Sequence, residues 1–263
     1  MSDDRDPSVL LRHATEWLDE TDRIALTHFA GELTITAKHD RSLVTQADTE
    51  IETRLRERIE QAYPAHTVLG EELGSAEDAG QGRWVIDPID ATHNFVRGIE
   101  VFATLLAFER DGELELGVVS APAMQRRWWA IRGGGAHLRG DRIERRVRVS
   151  TVDALDHAQV LFSTLRGLDA AGLGNALHRI TELAWRDRGF GDFWGHMLVA
   201  QGSAEAMLEY GVAPWDMAAP HVIISEAGGR MTDLAGRSSW SGPQILTTNG
   251  ALHDQILELL EDR

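Results

Sequence analysis

Apolar side chains recur at three- and four-residue steps from Ser8 to Phe29, at Val9, Leu10, Ala14, Trp17, Leu18, Ile24, Ala25 and Phe29. That spacing predicts an amphipathic helix, entered after Pro7 and left at Gly31. A second helix is predicted behind Asp48, read as its N-cap, with Ile51, Leu55, Ile59 and Ala62 on one face. Short apolar runs then predict strands. Thr67-Val68-Leu69 leads into Gly70-Glu71-Glu72, and Trp84-Val85-Ile86 into Asp87-Pro88-Ile89-Asp90. The runs Phe102 to Glu109 and Glu113 to Ser120 flank Asp111-Gly112, a hairpin signal. Trp128 to Ile131 reads as one more strand before three glycines.

After Val147-Arg148-Val149 the pattern restarts. It predicts strands at Val160 to Phe162, Ala206 to Leu208 and Ile245 to Thr247. Helices are predicted near Leu177 to Trp185, Phe193 to Gln201, Met217 to Ala227 and Leu252 to Leu260. Strands and helices come in blocks, which indicates a layered mixed α/β (α+β) protein. The restart suggests an N-terminal α+β half, residues 1–150, and a C-terminal α/β half, residues 151–263. There are no repeats and no low-complexity linker.

The composition fits a soluble globular chain: of 263 residues, 43% are hydrophobic and 26% charged. No apolar run approaches ~18 residues, so no membrane-spanning helix is expected. The acidic start Met1-Ser2-Asp3-Asp4-Arg5-Asp6 lacks the basic and apolar stretches of a secretory signal. There are no cysteines, which removes disulfides and thiolate metal sites and suits a cytoplasmic enzyme. The formal net charge of −16 argues against nucleic acid and anionic lipid as partners. A phosphate ester would need cations at its site. Lys38, the single lysine, reads as a solvated side chain.

The chemistry resides in the acids. Glu71 and Glu72 follow one apolar strand, Asp87 and Asp90 another, and Asp216 stands far along the chain after Trp215. Acids at strand ends point out of a sheet edge, where sites are commonly built. Each alone would read as a surface acid or a helix cap. The run Asp87-Pro88-Ile89-Asp90-Ala91-Thr92 is more specific: two acids around a proline, then small residues, directly after a buried strand. Gathered together, such acids repel one another unless a hard divalent cation such as Mg²⁺ joins them. The small residues Ala91 and Thr92 would let backbone N–H groups approach an anion. Thr92 and Asp48 together would position an attacking water and accept its proton.

These residues resemble the inositol monophosphatase superfamily. Its signature stands here as Asp87-Pro88-Ile89-Asp90-Ala91-Thr92-His93-Asn94-Phe95. The Gly-Glu-Glu motif is Gly70-Glu71-Glu72, the Trp-Asp-x-Ala-Ala motif is Trp215 to Ala219, and Val44-Thr45-Gln46-Ala47-Asp48 matches the early motif. Four motifs in the family's order cover nearly the whole chain. The resemblance implies a five-layer αβαβα sandwich, usually a homodimer, and a small phosphorylated metabolite as substrate. It implies that Glu71, Asp87, the Ile89 carbonyl, Asp90 and Asp216 hold two to three Mg²⁺. It further implies that Asp90, Ala91 and Thr92 face phosphate, that Thr92 and Asp48 activate water, and that Glu72 lies near the waters of that cluster. Ala91 departs from the usual Gly or Ser. Should its φ be positive, alanine there costs roughly 1 kcal/mol.

Within the superfamily, Asn94 to Gly98, Gln125 to Ala130 and Gly189 to Trp194 resemble the bacterial histidinol-phosphatase branch. Asp192, where many relatives carry a small residue, would suit a cationic leaving group, and Glu209 stands at a substrate-facing position. His93, Trp194 and Arg97 complete the candidate substrate residues. Their plainer readings are a helix N-cap for Asp192, core packing for Trp194, a surface ring for His93 and a loop or partner contact for Arg97. The rival functions are an inositol-phosphate or other polyol phosphatase, and a catalytically silent regulator on the same fold.

Overall fold

The computed structural model describes residues 6–31, 35–37, 43–75, 81–140 and 143–261. Lys38 and residues 1–5 of the acidic start lie outside the described residues.

The first helix, α1 (Pro7–Phe29), starts where Asp6 accepts a hydrogen bond from the Ser8 N–H at 2.9 Å, with Pro7 in the first turn. Proline fits there because that position's N–H would have no helical partner. The ribbon β1 (Ile35–Ala37) and β2 (Leu43–Thr45) leads into α2 (Gln46–Ala62). The N-cap of α2 is Thr45 rather than Asp48. Asp48 is the third residue of the helix and closes a capping box back onto Thr45.

A large sheet follows, built from β3 (Thr67–Gly70), β4 (Gly74–Ser75), β5 (Arg83–Asp90), β6 (Ala103–Arg110), β7 (Glu113–Ala121), β8 (Arg126–Ile131), β9 (Gly135–Gly140) and β10 (Ile143–Val147). Its order is β10-β9-β8-β7-β6-β5-β3-β4. Among the described residues of this sheet only β3 and β5 pair in parallel. The β6–β7 turn places both Asp111 and Gly112 at positive φ, 53° and 80°, as the hairpin signal requires. Strand β5 runs on through Asp90, past the expected end at Ile86, and its register on β6 shifts between Asp87 and Asp90. Proline in a strand belongs at such a bulge, which re-aims the neighbouring side chains. The short helix α3 (Thr92–Val96) follows at once.

The second sheet holds β11 (Gln159–Phe162), β12 (Arg186–Arg188), β13 (Ala206–Tyr210), β14 (Arg230–Thr232) and β15 (Gln244–Thr248), in the order β12-β11-β13-β15-β14. Around it lie α4 (Leu165–Ala170), α5 (Gly174–Leu183), α6 (Asp192–Ala200), α7 (Pro214–Glu226) and α8 (His253–Glu261).

Alternation along the strands assigns the layers. Trp84 and Ile86 of β5 pack with Leu10, Trp17 and Leu18 of α1 and Ile51 and Leu55 of α2. Val85, on the opposite face, packs into a central core with Phe193 and Met197 of α6, Met217 and Ile223 of α7, and Met207 and Ile245 of the second sheet. The far face of that sheet, Val160, Ala206 and Leu208, packs on Leu177 and Ile180 of α5 and Ile256 and Leu260 of α8. The result is the five-layer αβαβα sandwich. Each fully buried large apolar side chain contributes about 1.5–3 kcal/mol. Arg127 ties α1 to the large sheet through Asp22 at 2.6 Å and Asp19 at 2.8 Å.

Candidate active site

The acids singled out by sequence come together at the end of β5. Asp87 and Asp90 are buried on β5, and Asp48 is fully buried on α2. Asp216 sits in the first turn of α7, where its Oδ2 accepts from the Ala213 N–H at 2.7 Å. Asp87 is pushed well above the usual carboxylate range, first by burial and then by the charges of Glu71, Asp90, Asp216 and Asp48. Burial also dominates at Asp216, pushed up to about 7, with Glu71 and Glu209 raising it further. Asp90 is raised by burial, then by Asp192 and Asp216, and the Phe193 N–H offsets part of this. Asp48 is raised by burial against the hydrogen bonds of Thr45. Five acids from α2, β3–β4, β5 and α7 thus share one electrostatic neighbourhood.

These oxygens suit a hard divalent ion. Oδ1 of Asp87 and Oδ1 of Asp48 are buried without a hydrogen-bond partner among the described residues. Ionised carboxylates only accept, so what completes them must be a cation or a donor. Among the described residues no salt bridge joins Asp48, Asp87, Asp90 or Asp216 to an arginine. Nor does any group of three or more His, Asp and Glu form a ready cage. An ion that keeps several waters needs no such cage.

Ala91 occupies the N-cap of α3 with φ 66° and ψ 44°, a left-handed conformation. The Thr92 hydroxyl donates to the Ile89 carbonyl at 3.0 Å. Asp48 turns Oδ2 to Thr45, accepting from its N–H at 2.8 Å and its hydroxyl at 2.6 Å.

A second acidic patch adjoins the first. Asp192 opens α6, also with a positive φ of 58°. The residue keeps solvent access, yet the protein packed around it and then the Glu209 charge push it up to about 6. Glu209, buried on β13, accepts from the Asp192 N–H at 3.3 Å and contacts His196 Nε2 at 3.0 Å. The N-cap of α6 is Gly191, so Asp192 is the first helical residue. Trp194 packs on Trp128 and Phe193 and carries the Arg126 guanidinium over its ring, half-buried at the edge of the central core. His93 and Arg97 are exposed on and just after α3.

Sequence reasoning missed Thr45, Glu52, the Phe193 N–H and His196. Glu52 is fully buried and accepts from the Glu72 N–H at 2.8 Å and the Leu73 N–H at 3.2 Å. Its signal was spacing: Glu52 lies one helical turn after Asp48, and His196 one turn after Asp192.

A five-layer sandwich with acids converging beside a left-handed turn defines a phosphatase fold, and the chain belongs to the inositol monophosphatase family, whose pattern matches residues 6–263. More particularly, it is 41% identical over 244 residues to a histidinol-phosphatase of Mycobacterium tuberculosis, covering 92% of this chain and 94% of that one. It is 40% identical over 259 residues to a histidinol-phosphatase of Streptomyces coelicolor, covering 96% and 97%. Among solved structures, an IMPase of Thermotoga maritima superposes with a TM-score of 0.85 at 28% identity, covering 96% of each chain.

Proposed function

We propose that the protein hydrolyses L-histidinol phosphate to L-histidinol and phosphate with Mg²⁺ as cofactor. The observation that carries this reading is the junction of two acidic patches. One suits metal; the other, Asp192 with Glu209, suits a cationic leaving group. Two histidinol-phosphatase relatives at about the same distance support it.

On this reading Glu71, Asp87, Asp90, Asp216 and the Ile89 carbonyl hold two to three ions. When bound, they supply charge stabilisation and a more acidic water. The backbone at Ala91 and Thr92 faces the phosphate. The Thr92 hydroxyl has its proton committed to Ile89, so it acts as an acceptor that orients the attacking water. The unpartnered Oδ1 of Asp48 takes a proton from that water, with Glu72 close by. The water oxygen bonds to phosphorus, the bond from phosphorus to the ester oxygen breaks, and the leaving alkoxide takes a proton from solvent water to become the alcohol, while Asp48 gives the proton it received back to solvent. Asp192 and Glu209 hold the substrate amine, with His93, Trp194 and Arg97 at the rim.

The large sheet centres a half, residues 1–150, that supplies most of the metal ligands. The second sheet centres residues 151–263, which supply Asp216, Asp192 and Glu209. A cytoplasmic homodimer completes the reading, and exposed Trp185 and Phe190 beside the edge strand β12 offer an apolar face for a second copy. Light scattering tests that state.

The deciding experiment is phosphate release from histidinol phosphate and from inositol 1-phosphate, each with Mg²⁺ and with EDTA. Mg²⁺-dependent preference for histidinol phosphate is expected. Preference for inositol phosphate would overturn the substrate, and activity that survives EDTA would overturn the metal. The Asp192→Ala variant is expected to lose far more on histidinol phosphate than on the polyol ester.

A further inference from the structure

Helix α6 is apolar through Phe193, Met197, Leu198, Val199 and Ala200, yet it buries one polar ring, His196, with no exposure. A buried imidazole needs both nitrogens satisfied. Here Nε2 lies 3.0 Å from Glu209 Oε2 and Nδ1 lies 2.9 Å from Thr247 Oγ1. An ionised carboxylate only accepts, so Nε2 carries a proton and donates it to Glu209. The Thr247 hydroxyl then serves Nδ1. On its other oxygen Glu209 accepts from the Asp192 N–H at 3.3 Å. One chain of contacts therefore runs from Thr247 on β15, through His196 on α6 and Glu209 on β13, to the left-handed first residue of α6.

The ring has little freedom to leave this line. Gly195 lets α6 lie close on β13, and a Cβ added there would fall 2.6 Å from Met207 Sδ. Glu209 is held as firmly: it is buried, with each oxygen assigned to a different donor. A carboxylate fixed in this way presents its charge at one place rather than sampling rotamers, which is what selective recognition of a compact cation requires.

We infer that His196 is a positioning residue which, braced by Thr247, fixes Glu209 and through it Asp192 as an ammonium-selective acid pair in the leaving-group half of the site. This rests on the histidinol-phosphate reading above. A neutral leaving group draws little from a fixed negative charge, so loss of His196 acts on discrimination more than on the hydrolytic step.

The test compares kcat/KM for L-histidinol phosphate with that for imidazolylpropyl phosphate, which lacks only the amine. The enzymes are wild type, His196→Phe, His196→Gln and Thr247→Val. His196→Phe is expected to lower kcat/KM on histidinol phosphate by about 10- to 100-fold, chiefly through KM, and on the desamino ester by less than about 3-fold. His196→Gln keeps an N–H within reach and is expected to regain most of the preference. Thr247→Val is expected to move the ratio in the same direction by less, and it carries the test alone if His196→Phe does not fold. Equal losses on both esters, or none on histidinol phosphate, overturn the inference while wild-type preference leaves the substrate reading intact. A wild type that hydrolyses both esters equally overturns the inference together with the ammonium role of Asp192 and Glu209, whereas a wild type that hydrolyses neither overturns the substrate reading itself.

Discussion

The backbone N–H of Phe193 donates to Asp90 Oδ2 at 2.6 Å, across 103 positions of sequence. The first turn of α6 therefore grips an acid at the end of β5. The bond favours the charged carboxylate, but burial and the neighbouring acids Asp192 and Asp216 outweigh it. Asp90 is thus held in place while being electrostatically unwelcome, an arrangement that a cation relieves.

Asp90→Asn separates those two effects. Asparagine keeps the shape and an acceptor for Phe193 but removes the charge. Turnover is expected to fall by more than about 10²-fold, since even outer partners of a metal commonly cost up to that. In EDTA the thermal midpoint is expected to rise, because one of the mutually repelling buried acids is gone. A loss of both activity and EDTA stability would mean that Asp90 serves folding alone.

Ala91 sits at φ 66°, where a Cβ is disfavoured. The left-handed conformation costs alanine about 1–2 kcal/mol, while glycine loses part of that gain to the greater freedom of its unfolded chain, so Ala91→Gly is expected to stabilise by about 0.5–1 kcal/mol. Activity should stay close to wild type because the N–H is unchanged. Ala91→Val, β-branched in the same conformation, is expected to destabilise. Urea unfolding of the three proteins orders them, and an unchanged or lowered stability in Ala91→Gly would show that the turn carries no strain.

A layered mixed α/β chain with candidate acids at strand ends is legible in the pattern for a physical reason, whereas the five layers and the meeting of the acids rest on the family resemblance. Periodicity marks which faces must be buried, and Asp87 and Asp90 directly follow the apolar run Trp84-Val85-Ile86. The errors share a cause too. Asp48 looked like an N-cap because Thr45 and Asp48 cap α2 reciprocally, and one sequence cannot say which residue precedes the helix. Strand β5 was read too short because Pro88 signals a stop, and only the bulge lets it continue. Strands β9 and β10 escaped notice since Gly and Arg dominate them and the apolar alternation fades. Positioning groups such as His196 depend on neighbours distant in sequence, so no local pattern announces their partners.

The same acids make metal-free stability depend on pH. Burial first, then mutual repulsion, raises Asp87 and Asp90 and pushes Asp192 up to about 6 and Asp216 up to about 7. Unfolded aspartates titrate near 3.9. From about pH 4 to about pH 7 the folded chain thus binds more protons than the unfolded one, and stability falls as pH rises through that window. Buried His253, pushed down to about 4, works the other way up to about pH 6.5, so the clean range is above it: the thermal midpoint in EDTA is expected to drop between about pH 6.5 and pH 8, and Mg²⁺ to restore more at the higher pH. A midpoint that rises over that same range would mean that these acids are already neutralised by partners within the chain.

Glu52 gives the last test, because it touches the site only through backbone. Its Oε2 accepts from the Glu72 N–H at 2.8 Å, and its Oε1 from the Leu73 N–H at 3.2 Å and Arg56 Nε at 2.9 Å. Gly70 is what admits the carboxylate so close, since a Cβ there would collide with Glu52 Oε1. The turn carrying Glu71 and Glu72 is therefore set by a side chain of the helix that also carries Asp48. Glu52→Gln keeps the volume but replaces one acceptor with a donor that faces an N–H. On the proposed reading the Mg²⁺ concentration for half-maximal activity is expected to rise about 10- to 100-fold. At saturating Mg²⁺, KM for substrate should scarcely change. Calorimetric titration of Mg²⁺ should show the same weakening with no substrate present. An unchanged Mg²⁺ midpoint with a raised KM would place the Glu71 turn on the substrate side of the site instead.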